Sequence, residues 1–349
     1  MAFNSSVDRV ALLMHEGTQN VKGKTGLAFL RYGKAPVVSV IDYQNAGRSL
    51  SELTGIDCEA PIVKSLEEAL VHEPNVLVIG IAPSGGKLPQ SWMIEIEQAV
   101  TAGLNIVNGL HSPLAQLPEF RSLPRKNQWI WDVRQEPSGL SVGTGKAATL
   151  SCKRVLSVGT DMSVGKMSTN LELSKACNAL GIRSKVIATG QTNLILGDDG
   201  VALDAVRVDY ASGAVEREMM LYGPHYEILF VEGQGSLLNP SSTATLPLLR
   251  GGQPTHLVLV HKAGQTSIDK FPHIKIPKLA EVVDFYENIA FAMGSFVASR
   301  VVCVALNTVN LDEESAKVAI AKVEKETGLP CTDPIRFGSN KLLEPILNS

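Results

Sequence analysis

The chain has 349 residues, a length that favours two domains of ordinary size. It is 44% hydrophobic and 19% charged, with a formal net charge of −3, so its charge balance argues against a nucleic-acid partner, which usually needs a basic patch. No stretch resembles a signal peptide, and none approaches the roughly 18 apolar residues that a membrane span requires. The five cysteines are scattered and form no CxxC pair, which indicates neither disulfides nor a metal site and fits a reduced cytoplasm.

The first part of the chain predicts alternating strands and helices. Strands are expected at 10–14, 37–41, 76–81, 105–107 and around Ile130, and helices at 66–70 and 91–102. This alternation with short connections is typical of a parallel, doubly wound sheet, here a Rossmann-like domain. Asp42 ends the second strand, where dinucleotide-binding folds hold ribose, but no GxGxxG follows the first strand. We therefore favour a structural strand-end acid.

Two stretches of this part leave alternatives open. The glycine-rich segment 80–87 follows a strand and could hold an anion or simply form a tight turn. His111 and Ser112 lie at a similar strand end, where a lone histidine is more often structural than catalytic. Turn-forming residues concentrate at 140–150, so we predict domains at 1–145 and 146–349. The GTGK sequence at 143–146 lacks a preceding strand and is interpreted as linker.

A phosphate-binding loop opens the second domain. A predicted strand at 154–158 leads into GTDMSVG and Lys166, and a helix is predicted at 166–180. Backbone N–H groups, the helix N-terminus and the lysine charge can together hold phosphate. The expected cofactor-binding residues are Gly159, Thr160, Asp161, Met162, Ser163, Val164, Gly165, Lys166, Met167 and Ser168. Five residues separate the two glycines, and Met167 stands where a magnesium-binding hydroxyl is expected.

A second part of the phosphate site is predicted at Glu232. Four apolar residues, 228–231, place this acid at the end of a strand, a position that faces bound phosphates in phosphate-loop proteins. A strand at 185–188 followed by small and hydroxyl residues predicts a further contact surface. We interpret 204–218, which contains Arg207 and Asp209, as a substrate-facing loop, with a charged helix start as the alternative.

The remaining elements continue the alternation of strands and helices. Strands are predicted at 257–260, ending in His261 and Lys262, and at 301–306. Helices are predicted at 278–292 and 312–326. The segment around Arg336 is expected to be ordered. The second domain is thus predicted to be an α/β domain like those of P-loop NTPases.

Two families share these motifs. GTDMSVGKMS and VEGQGS resemble the GTDTxVGKT and VEGAGG motifs of dethiobiotin synthetases. That resemblance implies a Mg-ATP-dependent ligase or kinase, although Met167 replaces the threonine that binds magnesium in those enzymes. Over nearly the whole chain, the sequence is similar to the family formerly called domain of unknown function 1611, now named for D-glutamate N-acetyltransferase. The motifs that carry this resemblance are GIAPSGGKLP, GTDMSVGKMST, GQT, VDYASGAVE, VEGQGSLLNP, LVLVHKAGQ and DPIRFG.

The second resemblance implies a Rossmann-like domain followed by a P-loop domain. It also implies acetyl transfer from acetyl-CoA to the amine of D-glutamate, in D-amino-acid catabolism. Acetyl transfer needs no magnesium hydroxyl, so Met167 suits a loop that anchors CoA phosphate better than one that cleaves ATP. We therefore expect acetyl-CoA as cosubstrate, with Mg-ATP as the alternative, and no bound metal.

The expected roles follow from this chemistry. Lys166 binds phosphate, and Glu232 accepts the proton of the ammonium group, with Asp209, His225 and His261 as alternative bases. Substrate binding is assigned to Arg207, Asp209, Lys262 and Arg336. No cysteine lies in the phosphate loop or beside Glu232, so direct transfer is expected. A small amino-acid substrate and a cytoplasmic homo-oligomer, without nucleic-acid or membrane partners, complete the expectation.

Overall fold

The computed structural model describes residues 7–82, 88–121 and 128–349, so most of the glycine-rich segment 80–87 lies outside the described residues. The chain forms two compact units. Unit 1 comprises Met1–Gln135 and Gln191–Asp198, and unit 2 comprises Glu136–Gly190 and Asp199–Ser349. The boundary expected at 145/146 from the sequence lies a short way inside unit 2.

Unit 1 contains a six-stranded parallel sheet in the order β3-β2-β1-β4-β5-β6. Its strands are β1 (Val10–Leu13), β2 (Val37–Ile41), β3 (Ile62–Val63), β4 (Val76–Ile79), β5 (Asn105–Asn108) and β6 (Ile130–Asp132). The strand order reverses between β1 and β4, as in doubly wound Rossmann folds. This confirms the Rossmann-like fold expected from the alternation of strands and helices.

Unit 2 contains a second six-stranded parallel sheet in the order β14-β13-β10-β7-β9-β8, together with a β11–β12 hairpin. Its strands are β7 (Lys153–Gly159), β8 (Ser184–Ile187), β9 (Ile228–Val231), β10 (His256–Lys262), β11 (Ser267–Ile268), β12 (Phe271–Lys275), β13 (Arg300–Asn307) and β14 (Cys331–Thr332). β7, which leads into the phosphate loop, lies between β10 and β9. The predicted α/β phosphate-loop fold is confirmed.

Helices connect the strands in both units. They are α1 (Lys24–Tyr32), α2 (Leu50–Thr54), α3 (Leu66–Leu70), α4 (Gln90–Thr101), α5 (Pro118–Arg121), α6 (Lys166–Ala179), α7 (Gln191–Ile195), α8 (Val208–Tyr222), α9 (Thr245–Gly252), α10 (Leu279–Phe291), α11 (Glu313–Thr327) and α12 (Asn340–Leu347). None of the helices in the described part of the chain is long and apolar enough to cross a membrane.

The sheet of unit 2 is buried on both faces because neighbouring residues of each strand enter different hydrophobic clusters. Val155 of β7 packs with Leu173 of α6 and Leu343 of α12. The next residue, Leu156, belongs to the cluster that contains residues of α8, α9, α10 and α11. Strands that are covered on both faces read as continuous apolar runs, which is why the sequence revealed them. With both faces covered, the carboxyl edge of this sheet is where a ligand can approach.

Candidate active site

The phosphate loop connects the end of β7 to the start of α6. Ser163 has φ = 57° and Gly165 has φ = 120°. Such left-handed residues turn successive backbone N–H groups toward one side and create a concave anion site. A Cβ on Gly159 would stand 3.0 Å from both Lys166 Nζ and Val164 Cγ2. Glycine at 159 therefore lets the lysine fold back over the strand end.

Lys166 is the first residue of α6, and its side chain is buried by the loop. The residue is 6% exposed, and its Nζ donates a hydrogen bond to the carbonyl of Asp161 at 2.8 Å. A Cβ on Gly233 would lie 2.8 Å from Lys166 Cδ, so the aliphatic stem passes the chain that follows β9. The ammonium group thus lies over the loop, beside the ends of β7 and β9, where it can neutralise a bound phosphate.

Asp161 holds the loop against two other loops. It is 1% exposed, and its Oδ1 accepts hydrogen bonds from Met162 N and Asn239 Nδ2, both at 2.7 Å. Its Oδ2 accepts hydrogen bonds from Gln265 Nε2 and Asp269 N, also at 2.7 Å. A carboxylate satisfied by four protein donors is suited to positioning the loop, and its negative charge disfavours direct contact with phosphate.

Two further contacts fix the first residues of the loop. Thr160 Oγ1 lies 2.9 Å from His261 Nδ1, and burial lowers the pKa of His261 to about 4. This imidazole is therefore neutral near pH 7 and acts as a hydrogen-bonding partner. The hydroxyl of Tyr286, from α10, donates to the carbonyl of Gly159 at 2.7 Å and accepts from Leu237 N at 3.2 Å.

Glu232 directly follows β9, at the same carboxyl edge as the loop. It is 4% exposed, and its Oε2 accepts hydrogen bonds from Thr189 N at 3.0 Å and Gly190 N at 3.1 Å. A Cβ on Gly190 would stand 2.3 Å from Gln234 Nε2 and 3.4 Å from Glu232 Oε1, so glycine lets both side chains pack against this turn. The structure thus brings Glu232 and Lys166 to the ends of the paired strands β9 and β7.

The position after the lysine carries no hydroxyl. Helix α6 begins at Lys166, and Met167 is 9% exposed in its first turn. The hydroxyl of Thr169 donates to the carbonyl of Gly165 at 3.0 Å, which is a hydrogen bond within the helix. Among the residues that the structure describes, no group of three His, Cys, Asp or Glu side chains is arranged to hold a metal ion.

The structure separates the cations expected to bind substrate. Lys262 ends β10 and is half-buried, next to His261, so it lies at the edge that carries the phosphate loop. The Arg336 guanidinium donates to the carbonyls of Leu311 at 2.8 Å and Asp312 at 3.1 Å, which orders the chain before α11. Arg336 also follows a strand, β14, but its guanidinium is already bound by these two carbonyls.

Arg207 and Asp209 lie at the start of α8. The Arg207 guanidinium forms a bidentate pair with the Glu136 carboxylate, with Nη2–Oε1 at 2.7 Å and Nε–Oε2 at 3.1 Å. Asp209 is exposed in the first turn of the helix. The interpretation of 204–218 as a substrate-facing loop is wrong, because Val208–Tyr222 is helical. His225 precedes β9 and lies at the opposite, amino edge of the sheet.

The helix α8 holds the segment that precedes β7. Its buried Glu216 accepts hydrogen bonds from Thr144 N at 3.1 Å and Lys146 N at 2.8 Å. A Cβ on Gly213 would stand 1.8 Å from the carbonyl oxygen of Ser141. The VDYASGAVE motif is thus explained by close packing of this segment, and the GTGK sequence at 143–146 belongs to it.

Unit 1 has its own polar cluster at the carboxyl edge of its sheet. Asp42 is fully buried and accepts hydrogen bonds from Thr18 Oγ1 at 2.5 Å and Asn45 Nδ2 at 2.8 Å, which supports a structural role. Nearby, His15 Nε2 lies 2.7 Å from Glu95 Oε2 beside a crevice of about 400 Å³.

The sequence did not single out three residues that shape the phosphate loop. Asn239 and Gln265 bind Asp161, and Tyr286 binds Gly159. The first two fall within VEGQGSLLNP and LVLVHKAGQ, motifs that the family resemblance already contained. Tyr286 lies in a helix with no distinguishing motif, so nothing in the local sequence pointed to it.

Comparison with known families agrees with this arrangement. Residues 43–136 match the domain of unknown function (DUF1611_N) Rossmann-like domain. Residues 141–343 match the domain of unknown function (DUF1611_C) P-loop domain. The chain belongs to the DUF1611 family.

Relatives in this family include two with named activities and one solved structure. A D-glutamate N-acetyltransferase from Tritonibacter scottomollicae is 35% identical over 285 residues, covering 81% of this chain and 84% of the relative. One from a Pseudoalteromonas species is 36% identical over 282 residues, covering 80% of this chain and 83% of the relative. A crystal structure of a DUF1611 family protein from Anabaena variabilis is 58% identical, covers 98% of this chain and 100% of that one, and superposes with a TM-score of 0.96.

Proposed function

We propose that this chain transfers the acetyl group of acetyl-CoA to the amine of D-glutamate, and that its phosphate loop holds a phosphate of the cosubstrate. The acceptor and the reaction come from the names of the two relatives at about 35% identity. The observation that carries the role of the loop is the first turn of α6, where Met167 takes the place of a magnesium ligand and the Thr169 hydroxyl is bonded to Gly165.

The loop fits a phosphate without a metal. The left-handed residues Ser163 and Gly165 shape its backbone, and Lys166 supplies one positive charge. Acetyl-CoA contains a pyrophosphate and a thioester, so holding the pyrophosphate limits where the acetyl group can reach. The neutral His261 and the braced Asp161 keep the loop in this shape before the ligand arrives.

Glu232 is the base that we assign to the acceptor amine. The ammonium group must lose a proton before nitrogen can attack the acetyl carbon. During transfer the new C–N bond forms, the C–S bond breaks, and the thiolate leaves to be protonated as free CoA. The two backbone N–H groups that bind Glu232 Oε2 hold the carboxylate in a fixed orientation. We assign Lys262, at the end of β10, to a carboxylate of the substrate.

The test measures release of free thiol from acetyl-CoA in the presence of D-glutamate, with L-glutamate and D-aspartate as comparison substrates. Lys166→Met should raise the KM for acetyl-CoA by roughly 10- to 100-fold, because a charge-assisted phosphate contact is lost. Glu232→Gln should lower kcat by roughly 10²–10⁴-fold with little change in CoA affinity.

Matched control variants lie on the same elements. Lys175→Met changes an exposed lysine of α6, and Glu227→Gln changes an exposed acid just before β9. Both should keep full activity. If no acidic amino acid supports thiol release by the unaltered protein, the proposal fails.

The alternative, a Mg-ATP-dependent ligase or kinase, predicts a different product. It requires ADP formation that depends on magnesium, and the missing hydroxyl at Met167 argues against it. We expect no ADP from the unaltered protein, and none from Met167→Thr, because one hydroxyl does not rebuild a phosphoryl-transfer site. Magnesium-dependent ADP formation that Lys166→Met abolishes would favour the ligase instead.

A further inference from the structure

A basic hairpin lies beside the phosphate loop. We define it as residues 267–278, which include β11, β12 and the segment that leads to α10. It carries three exposed lysines and an exposed histidine against a single carboxylate. The lysines are Lys270, Lys275 and Lys278, the histidine is His273, and the acid is Asp269.

The hairpin is attached to the phosphate loop by direct hydrogen bonds. Asp161 Oδ2 accepts from Asp269 N and from Gln265 Nε2, both at 2.7 Å. Gln265 Nε2 also donates to the carbonyl of Ser267 at 3.0 Å, which ties the base of the hairpin to the same point. Lys270 is the next residue after Asp269, whose backbone N–H contacts the phosphate loop.

Two lysines of the hairpin have no ion-pair partner within residues 7–82, 88–121 and 128–349. Of the carboxylates that the structure describes, none forms an ion pair with Lys270 or Lys275. The one acid, Asp269, uses Oδ1 to accept a hydrogen bond from Lys270 N. Unpaired surface lysines that gather beside an anion-binding loop extend its positive potential.

The hairpin also presents an aromatic surface. Phe271, His273 and Lys275 are alternate residues of β12 and therefore lie on one side of the strand. Their rings are 6.2 Å apart, with an edge-on angle of 82°. Flat rings next to cations suit a purine nucleotide, because the base can stack while the cations bind phosphate.

CoA carries two separated anionic groups. Its pyrophosphate and its 3′-phosphate lie on opposite sides of one ribose, next to an adenine. A loop that holds the pyrophosphate therefore leaves the 3′-phosphate and adenine one sugar away. The basic hairpin is bonded to the loop through Asp269 N and carries the cations and rings that these groups require.

We propose that the basic hairpin binds the 3′-phosphoadenosine part of CoA, with Lys270 and Lys275 contacting the 3′-phosphate. This inference rests on the proposed function, because it assumes that the phosphate loop holds the pyrophosphate. It gives the chain a means of distinguishing CoA from dephospho-CoA and from adenine nucleotides that lack a 3′-phosphate.

The experiment measures the Kd of the full-length protein for CoA and for dephospho-CoA by calorimetry at low ionic strength. The unaltered protein should bind CoA at least about tenfold more tightly, since a charge-assisted contact contributes at least that much. The double variant Lys270→Gln/Lys275→Gln should lose this preference and retain its affinity for dephospho-CoA. Position 270 has φ = 66°, and glutamine carries the same backbone strain there as the lysine it replaces.

Lys322→Gln, which changes an exposed lysine of α11, is the matched control and should keep the preference. Lys166→Met should weaken both ligands. If both ligands bind equally well to the unaltered protein and Lys166→Met weakens both, the hairpin inference fails while the proposed function stands. If neither ligand binds, both fail.

Discussion

At the scale of single residues, Asp161 has a bracing role that its motif alone does not predict. The GTDMSVGK pattern placed it among the cofactor-binding residues. In the structure its carboxylate joins the phosphate loop to the segments around Asn239 and Gln265. The sequence could not reveal this role, because the partners lie 78 and 104 residues away along the chain.

Asp161→Asn tests this bracing role. The NH₂ group of the asparagine must face one of the two pairs of donors that now bind Asp161. The two hydrogen bonds on that side are lost, because an N–H group of the asparagine then points at N–H groups of the protein. We expect the free energy of unfolding to fall by about 2–4 kcal/mol. Urea denaturation followed by circular dichroism measures it. Asp209→Asn, at an exposed position of α8, should change stability by less than about 0.5 kcal/mol.

CoA affinity distinguishes the two interpretations of Asp161. A variant that keeps full stability but no longer binds CoA would show that Asp161 contacts the ligand directly. A less stable variant whose weakened binding is restored at lower temperature agrees with a positioning role.

At the scale of secondary-structure elements, the sequence predicted best the segments that are buried on both sides. The strands β7, β9, β10 and β13 read as apolar runs because their residues alternate between two hydrophobic clusters. Helix α8 was misread because charged residues surround Gly213. That glycine is needed for the close approach of the Ser141 carbonyl, which is a tertiary contact and leaves no local signature. The sequence analysis also did not predict the basic hairpin or α12.

The junction between β7 and β9 depends on Gly233. Its N–H donates to Ser157 Oγ at 3.0 Å, and a Cβ there would stand 1.7 Å from the Ser157 carbonyl oxygen. Gly233→Ala must push the two strand ends apart, moving Glu232 away from the loop. We expect the free energy of unfolding to fall by at least about 3 kcal/mol, because the clash is between backbone atoms and neither the Gly233 nor the Ser157 backbone can move without disrupting its strand.

A glycine with open surroundings provides the comparison. Gly264 has φ = 79° and no heavy atom within 4 Å of an added Cβ. Gly264→Ala should cost only about 1 kcal/mol, the strain of a left-handed alanine. Thermal unfolding of both variants measures the difference. Equal losses would show that the contact between Gly233 and Ser157 does not constrain the strand ends.

At the scale of the whole molecule, two buried histidines make stability depend on pH. Burial lowers the pKa of His256 and of His261 to about 4, from an ordinary value of 6.5. Between these values the unfolded chain binds more protons than the folded one, so acid favours unfolding. Their contribution is complete above pH 6.5 and is lost as the pH falls toward 4.

We expect the free energy of unfolding of unit 2 to fall by about 6 kcal/mol between pH 6.5 and 4, because each of the two histidines contributes a slope of up to about 1.4 kcal/mol per pH unit. The dependence should be shallower in His261→Asn, whose amide can still bond Thr160. His225→Asn, at an exposed position, controls for the loss of one histidine. Denaturation curves at half-unit pH steps measure the slope. An unchanged slope in His261→Asn would contradict this origin.

The candidate site was partly predictable at this scale. The pairing of a glycine-bounded loop with Glu232 followed from strand-end positions, because carboxyl ends of parallel strands meet at one edge. Which cations are already bound by other groups of the protein did not follow. In the sequence, Arg207 and Arg336 cannot be told from arginines that bind a substrate carboxylate. In the structure, Glu136 binds Arg207, and two backbone carbonyls bind Arg336.

The hydroxyl of Tyr286 joins α10, a helix of the core, to the phosphate loop. It binds the Gly159 carbonyl and the Leu237 N–H from a fully buried position in α10. Replacing it by phenylalanine would preserve shape and packing but leave both backbone groups without this partner. Random mutagenesis should therefore find variants of α10 with slower acetyl transfer, although we assign no residue of this helix to substrate or cosubstrate.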